Sequence, residues 1–346
     1  MRVSVAEILV SVIVVNWNRR DMLHACLASL LRQTFPHFEV IVVDNGSGDD
    51  SVAMVKQEFP AVRLIQNTEN RGFCGGNNQG IAAAQGGLIA LLNNDAEAGP
   101  DWLSALEKAF GADPRVGMAA SKILVHGDSR RIDKAGHLIY PDGQNRGRGS
   151  GEIDCGQYDV QSETLWPDGC AAMYRKAMLQ RIGGFDEDFF AYGDDAELGL
   201  RARIAGWRCV YVPGAVVRHH GASTLGLQSL RRLELIERNR LLLAVKLFPL
   251  SLLLLNPFYY AARLLYGVKA AVQNQGEVAA FPGLRGKLRI LLALASGDLQ
   301  ALKLFPQMLR KRRALRVTNQ LSPREIRQLI LRNRISLNEL SMRRAR

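Results

Sequence analysis

The segment Gly184-Phe185-Asp186-Glu187-Asp188-Phe189-Phe190-Ala191-Tyr192-Gly193-Asp194-Asp195-Ala196-Glu197-Leu198 alternates carboxylates with aromatic rings. It runs straight into helical spacing at Leu198-Gly199-Leu200-Arg201-Ala202-Arg203. A solvated acidic face would not carry Phe185, Phe189, Phe190 and Tyr192 among its acids. The rings pull the segment inward, and a carboxylate taken inward must be paired, hydrogen-bonded or chemically engaged. A carboxylate at the rim of an apolar cleft can serve as a general base, which makes Asp194 and Asp195 candidates. The same acids would also suit the start of the following helix, as caps facing its dipole.

Other polar clusters share one placement. Asn16-Trp17-Asn18, Asp44-Asn45-Gly46-Ser47 and Asn93-Asn94-Asp95 each close a continuous apolar run. Such runs, at residues 10–15, 39–43 and 88–92, read as buried parallel strands. A shorter strand is expected at 62–65. Helical spacing appears at 21–32, 50–59, 77–85 and 102–110. This alternation predicts an α/β fold with a doubly wound, mostly parallel twisted sheet flanked by helices. Ligands of such sheets bind at the carboxyl ends of the strands, where all three polar clusters fall. The glycine-rich stretch Gly72-Phe73-Cys74-Gly75-Gly76-Asn77-Asn78 allows close backbone approach and opens a helix toward the same edge. Residues 120–165 are loop-rich, with an ill-defined strand pattern at 132–140. A helix is expected over 170–182, a strand over 207–212 and a helix over 230–240.

Composition narrows the class. The 346 residues are 47% hydrophobic and 23% charged, ordinary for a folded protein. Five cysteines, odd in number and without CxxC spacing, argue against a disulfide framework or a zinc site and fit a reducing compartment. Residues 1–9 carry Glu7 and lack the apolar run of a secretory signal.

Charge is unevenly placed. Residues 240–346 hold 20 Lys and Arg against 4 Asp and Glu, a net of +16, which leaves −4 for the first 239 residues of a chain totalling +12. A basic tail suits a polyanion, either nucleic acid or an anionic membrane. The leucine-rich run at 241–266 is too apolar for a nucleic-acid arm. Lys246, Pro249, Pro257 and Arg263 break it too often for a membrane span. Helices lying in the membrane interface fit best, with Tyr259, Tyr260 and Tyr266 as anchors and Arg310-Lys311-Arg312-Arg313 at the headgroups. A soluble helical packing unit with a basic surface is the plainer alternative.

The ordered motifs from about residue 10 to 225 resemble the inverting glycosyltransferases of family 2, which have the GT-A fold. They are Val12-Ile13-Val14-Val15-Asn16-Trp17-Asn18, Val42-Val43-Asp44-Asn45-Gly46-Ser47, the glycine-rich stretch, Leu91-Leu92-Asn93-Asn94-Asp95, the acidic-aromatic segment and His219-His220-Gly221-Ala222-Ser223. The Gly-Phe-x-x-Gly-Asn-Asn element and the phenylalanine-rich acids are most similar to the rhamnosyltransferase-like branch.

The resemblance implies a GT-A domain at 1–235 and a basic, amphipathic, membrane-associating helical extension at 236–346. It implies a nucleoside-diphosphate sugar donor, a saccharide or lipid-linked acceptor, and Mg²⁺ or Mn²⁺. Asp195 stands where the family has its base, and Asp194 beside it is implied to orient the acceptor or stabilise the loop. Asp95 stands at the last position of the family's Asp-x-Asp, whose first acid is Asn93 here. The resemblance implies Asp95 and one of His219 and His220 as metal ligands; two adjacent side chains on a strand point oppositely, so only one of the pair is expected to reach, and His219 is the one favoured. Asp44 resembles the base-binding aspartate. Asn16, Asn18, Asn45, Ser47, Gly72, Asn77, Asn78, Asn93, Asn94, Asp168 and Gly169 are the remaining implied substrate contacts. The implied place is the cytoplasmic face of the bacterial inner membrane, peripherally bound.

Other classes compete. A nucleotidyltransferase would carry a glycine-rich basic loop after the first strand, where Asn16-Trp17-Asn18-Arg19-Arg20 has no glycine. A nicotinamide dehydrogenase would need Gly-x-Gly-x-x-Gly there. A non-catalytic membrane-associated sugar-nucleotide-binding or scaffold protein is the alternative that the incomplete Asp-x-Asp keeps open. A nucleic-acid binder would interleave aromatics with the basic residues, and the tail offers leucines instead.

Overall fold

The computed structural model describes residues 8–111, 113–221, 229–273, 281 and 283–341. Ala222 and Ser223 of the histidine motif and the first seven residues lie outside that set.

The first half alternates as expected: β1 (Val10–Asn16), α1 (Arg20–Leu30), β2 (Phe38–Asp44), α2 (Ser51–Glu58), β3 (Arg63–Gln66), α3 (Gly72–Ala83) and β4 (Leu88–Leu92). β1 pairs in parallel with β2 and with β4, and β2 with β3. Successive side chains enter opposite faces. Val10, Val12 and Val14 join one core with α1 and α2, while Ile13 joins the other core. Burial on both faces is why these strands are continuous apolar runs. The register places Asn16 opposite Asp44, so both polar clusters leave the sheet at one edge.

Next come β5 (Ala96–Ala98), α4 (Trp102–Lys108), β6 (Val116–Val125), β7 (Asp128–Lys134), β8 (His137–Ile139), β9 (Asn145–Gly147), β10 (Ser162–Glu163), β11 (Ala171–Arg175), α5 (Lys176–Ile182), α6 (Asp194–Ile204) and β12 (Arg208–His219). Three expectations are corrected here. The sheet is mixed: β11 lies antiparallel between β4 and β6, and β10, β5 and β7 pair antiparallel with their neighbours. Residues 170–182 are strand then helix. Ala171 to Tyr174 favour helix by composition, but two strand neighbours and full burial override that preference. The loop-rich stretch contains the long β6, β7 and the β8–β9 hairpin.

α3 begins at Gly72, earlier than its apolar spacing suggests, because its glycines serve packing. A Cβ on Gly76 would sit 2.7 Å from Val15, and one on Gly80 would sit 2.5 Å from Ile13. Gly72 has φ +70°, and a Cβ there would meet the Phe190 ring at 2.6 Å.

The tail forms α7 (Leu230–Leu247), α8 (Leu250–Leu253), α9 (Asn256–Val272), α10 (Gly283–Leu315), α11 (Pro323–Arg332) and α12 (Leu337–Ser341). α10 crosses α7 closely at Gly297, where a Cβ would stand 2.6 Å from the Glu234 carbonyl oxygen. Several basic residues are paired inside the molecule. Buried Lys246 reaches Asp186 at 2.5 Å and Glu197 at 2.7 Å, and Lys311 pairs with Asp186 and Asp188. Arg263 joins Asp142 at 2.6 Å and Glu237 at 2.8 Å. Large apolar side chains remain exposed on α8 to α10, among them Leu254, Phe258, Leu265, Leu288, Leu292 and Leu302. Among the described residues no helix is long and apolar enough to cross a membrane.

Candidate active site

The ends of β1 and β2 build the first cluster. Asp44 Oδ1 accepts from Asn16 Nδ2 at 3.1 Å and from Ser47 Oγ at 2.5 Å, while Oδ2 accepts the Ser47 amide at 2.9 Å. Ser47 Oγ in turn accepts the Asn18 amide at 2.7 Å. Asn18 and Arg19 both adopt positive φ, 60° and 64°, folding the chain back over this loop. Asn94 Nδ2 donates to Asn16 Oδ1 at 2.7 Å, tying the β4 end to the same cluster. Asn45 donates to the Gly72 carbonyl at 3.0 Å. Asn16, Asn18, Asp44, Ser47 and Asn94 are thus one hydrogen-bonded group, with Asn45 beside it.

Asn77 and Asn78 are engaged elsewhere. Asn77 Nδ2 bonds back to the Phe73 carbonyl at 2.9 Å. Asn78 holds the acidic-aromatic segment, accepting the Phe185 amide at 2.8 Å and donating to the Phe185 carbonyl at 2.9 Å and Glu187 at 3.0 Å. Asn93 contributes its main chain, donating to the Cys170 carbonyl at 2.8 Å.

The second cluster is Asp95 with His219. His219 Nε2 lies 3.3 Å from Asp95 Oδ1, and Nδ1 lies 2.8 Å from Asp133 Oδ2. His220 points away, toward Glu97 at 3.0 Å, as strand alternation requires. Burial disfavours a charged His219 ring. Cys170 and the carboxylates of Asp133 and Asp95 outweigh that and raise its pKa well above the imidazole range. The pair fits a hard divalent ion: one carboxylate, one imidazole, and a second carboxylate orienting the ring's other nitrogen. Mg²⁺ or Mn²⁺ bound to a nucleotide needs few protein ligands, since phosphate oxygens complete the shell.

The third cluster surrounds Asp195 at the start of α6. The segment is held from three sides. Arg201 donates to the carbonyls of Ile182 (2.5 Å), Gly183 (3.0 Å) and Gly184 (2.6 Å) while paired with buried Glu197. From α7, Arg238 and Asn239 bind the carbonyls of Asp188, Phe189, Ala191 and Tyr192. The Phe73 and Phe185 rings meet edge to face at 5.6 Å, walling the site. Phe190 and Tyr192 adopt positive φ, 63° and 68°, a strained backbone that these contacts hold in place.

Asp195 Oδ2 accepts the Gly169 amide at 3.3 Å and stands 3.7 Å from His137 Nε2. His137 Nε2 and Lys134 Nζ approach Asp168 Oδ2 at 2.8 and 2.7 Å. Burial raises the Asp195 pKa above the carboxylate range; His137 works against the shift and Asp168 adds to it. Asp194 is raised further, by burial and then by Asp195. Burial alone would also raise Asp168, but Lys134 and His137 hold it well below the usual range. The charge of Asp168 is thus favoured by its cations, while burial disfavours charge on Asp194 and Asp195.

Asp133, Lys134 and His137 escape a reading of the sequence. One short segment supplies all three, reaching His219, Asp168 and Asp195. The available signal was a charged or imidazole residue at each of these positions within the apolar pattern of Ile132, Ala135 and Ile139.

Residues 11–183 match the family model described as Glycosyl transferase family 2. The chain belongs to glycosyl transferase family 2. This family 2 protein is 30% identical over 245 residues to an N-acetylglucosaminyl-diphospho-decaprenol L-rhamnosyltransferase of Mycobacterium tuberculosis (strain CDC 1551 / Oshkosh), covering 62% of this chain and 77% of the relative. It is also 30% identical over 225 residues to the O-antigen biosynthesis protein RfbC of Myxococcus xanthus, but spans only 17% of that longer protein. Two solved structures share the GT-A-like fold. The mannosyltransferase PcManGT of Pyrobaculum calidifontis, in complex with GDP-Man and Mn²⁺, aligns with TM-score 0.50 at 21% identity over 89% of this chain and 85% of its own. GalNAc-T7 with UDP, GalNAc and Mn²⁺ aligns with TM-score 0.56 at 14% identity, over 69% of this chain and 48% of its own. The rhamnosyltransferase-like resemblance of the ordered motifs is borne out by these family 2 matches.

Proposed function

We propose that the protein is an inverting glycosyltransferase that moves a sugar of the rhamnose class from a nucleoside diphosphate to a lipid-linked saccharide in bacterial cell-surface polysaccharide assembly. The observation that carries this reading is the row of clusters along one sheet edge, from Asp44 through Asp95 and His219 to half-buried Asp195. Family membership and the relatives named for rhamnosyl transfer and O-antigen synthesis support the substrate class.

In this reading Asp44 accepts from the nucleobase, with Asn16, Asn18, Asn45, Ser47 and Asn94 shaping the base and ribose pocket. Asp95 and His219 would hold a divalent ion, which would supply positive charge to the departing diphosphate. Asp195 takes the proton of the acceptor hydroxyl. The freed oxygen bonds to the anomeric carbon as the bond to the diphosphate breaks on the opposite face, so configuration inverts with one base and no covalent intermediate. Asp168 and Gly169 border the donor sugar, and Gly169 also holds Asp195 through its amide. His137 is a positioning residue, sharing its Nε2 between Asp168 and Asp195. Asn93 would border the ribose, Gly72 allows the turn beneath the pocket, Asn77 and Asn78 support the loop, and Asp194 orients the acceptor.

We assign residues 236–346 as a functional extension that seats the enzyme on the cytoplasmic face of the inner membrane. Exposed leucines and Phe258 beside a strongly basic sequence support interfacial binding to anionic lipid. The division at residue 236 is one of role, since α7 runs across it as a single helix.

The test is ligand-induced thermal stabilisation against dTDP-, UDP- and GDP-sugars, with Mn²⁺ and with EDTA, followed by the anomeric configuration of the product. A metal-dependent rise in Tm with one donor and an inverted product is expected. A folded sample that no nucleotide sugar stabilises would overturn the reading in favour of a non-catalytic protein.

A further inference from the structure

Beside the Asp95–His219 pair lies a second constellation. Glu97 of β5, His126 just after β6 and His220 just after β12 converge from three strand ends. Glu97 Oε1 lies 3.3 Å from His126 Nε2 and 3.0 Å from His220 Nε2. The two imidazoles stack at 3.6 Å with an 18° interplanar angle, and both Nε2 atoms lie against the same carboxylate; exposed His126 would turn about its side-chain bonds to aim its lone pair at a shared ion. All three ligand atoms fall within 4.8 Å of one another.

We propose that Glu97, His126 and His220 form a site for a borderline first-row divalent cation, Zn²⁺ by preference, separate from the ion that would sit on Asp95 and His219. Tetrahedral Zn²⁺ with bonds of about 2.0–2.1 Å places neighbouring ligand atoms roughly 3.3 Å apart. The two measured N···O separations match that edge. Two imidazoles and one carboxylate suit Zn²⁺ far better than Mg²⁺, which prefers an oxygen shell. The His126 side chain is 40% exposed and Glu97 28%, which leaves an entry path and an outer position for water.

Main-chain geometry places this site against the other. The His126 amide donates to the His219 carbonyl at 2.9 Å, and the His220 amide donates to the Asp95 carbonyl at 2.9 Å. An ion here clamps the strand ends from which Asp95 and His219 emerge. The site does not depend on the glycosyltransferase reading, because the ligands and their convergence stand without it.

The experiment uses the untagged full chain, stripped with EDTA, then titrated with Co²⁺ and back-titrated with Zn²⁺. We expect an intense visible d–d spectrum of a low-coordinate Co²⁺ site that Zn²⁺ abolishes. His126→Ala should weaken Zn²⁺ binding on the order of 100-fold or more, beyond what loss of an outer-shell partner costs. Glu97→Gln should weaken it too, and Zn²⁺ should raise the Tm of the parent protein but not of His126→Ala. His219→Ala should keep the spectrum. Equal Zn²⁺ affinity in parent, His126→Ala and Glu97→Gln, or a spectrum lost only in His219→Ala, would overturn the proposal. His126 is half-exposed at a strand end, so His126→Ala keeps the test decisive even if His220→Ala fails to fold.

Discussion

His137 Nε2 lies 2.8 Å from Asp168 Oδ2 and 3.7 Å from Asp195 Oδ2, so a single imidazole nitrogen faces two carboxylates of unequal basicity. Asp168 is held ionised by Lys134 and His137, and Asp195 is left with the raised pKa. A base is effective when its pKa approaches the working pH, and this division of charge moves Asp195 in that direction.

Asp195→Asn should abolish transfer while leaving donor binding within a few-fold. Loss of a positioned base costs about 10²–10⁴ in rate. Turnover and donor-induced Tm shifts measured on one preparation separate the two effects. Lost donor binding would show that Asp195 contacts the donor instead.

The pH profile should carry the same signature. Asp195 works only when ionised, and its pKa is raised, so kcat/KM should fall as pH drops, with the acid limb above the ordinary carboxylate range. His137 lowers that pKa, and His137→Gln should shift the limb to higher pH. A merely structural role for His137 would lower activity at every pH and leave the limb in place.

Removing the carboxylate behind the implied metal ligand should weaken the metal. Asp133 orients His219 at 2.8 Å, and Asp133→Asn should reduce Mn²⁺ affinity about 10–100-fold in the presence of donor nucleotide. Calorimetric titration of Mn²⁺ checks this.

Membrane binding calls for a gentler test than truncation. Cutting at residue 236 would break α7, remove Leu242 and Leu243 from the core they help fill, and strip Asp186 and Glu197 of Lys246. Leu288→Glu with Leu292→Glu changes only exposed positions. The double variant should keep its unfolding free energy within about 1 kcal/mol of the parent's and lose sedimentation with vesicles containing anionic lipid. Unchanged sedimentation would refute interfacial binding by this face.

Lys246→Met should cost about 3 kcal/mol, because it leaves buried carboxylates of Asp186 and Glu197 short of a partner. Both carboxylates have pKa values lowered against the burial penalty, through Lys246 for Asp186 and through Arg201 and Lys246 for Glu197. Their stabilisation is therefore present above the unfolded carboxylate pKa and is lost as pH falls through the lower folded value. Denaturant midpoints for parent and variant should converge on acidification.

The ends of the parallel strands were legible because two-sided burial writes itself as unbroken apolar runs, and the residue after each run must lie at the ligand edge. Asn16, Asp44 and Asp95 follow from that rule. β11 was not legible: Ala171-Ala172-Met173 has helical composition, and only the strands on either side make it a strand. Asn78 and Gly76 show the opposite failure. Their types suit a ligand loop, yet Asn78 fastens Phe185 and Gly76 makes room for Val15. Asp133, Lys134 and His137 were hidden because the site partners they reach lie 31 or more positions away, a separation no local pattern reports.

Lys311 of α10 is bonded to Asp186 and Asp188, a few residues ahead of Asp195. During synthesis the chain emerges from its N-terminus, and the sheet can assemble before the tail exists. The loop carrying Asp195 has its holds from Arg201, Arg238 and Asn239 by then, but lacks the ion pairs of Lys311 until residue 311 has left the ribosome. Nascent chains stalled short of that point should therefore hold a formed sheet edge while the Asp195 loop still lacks its contact with α10.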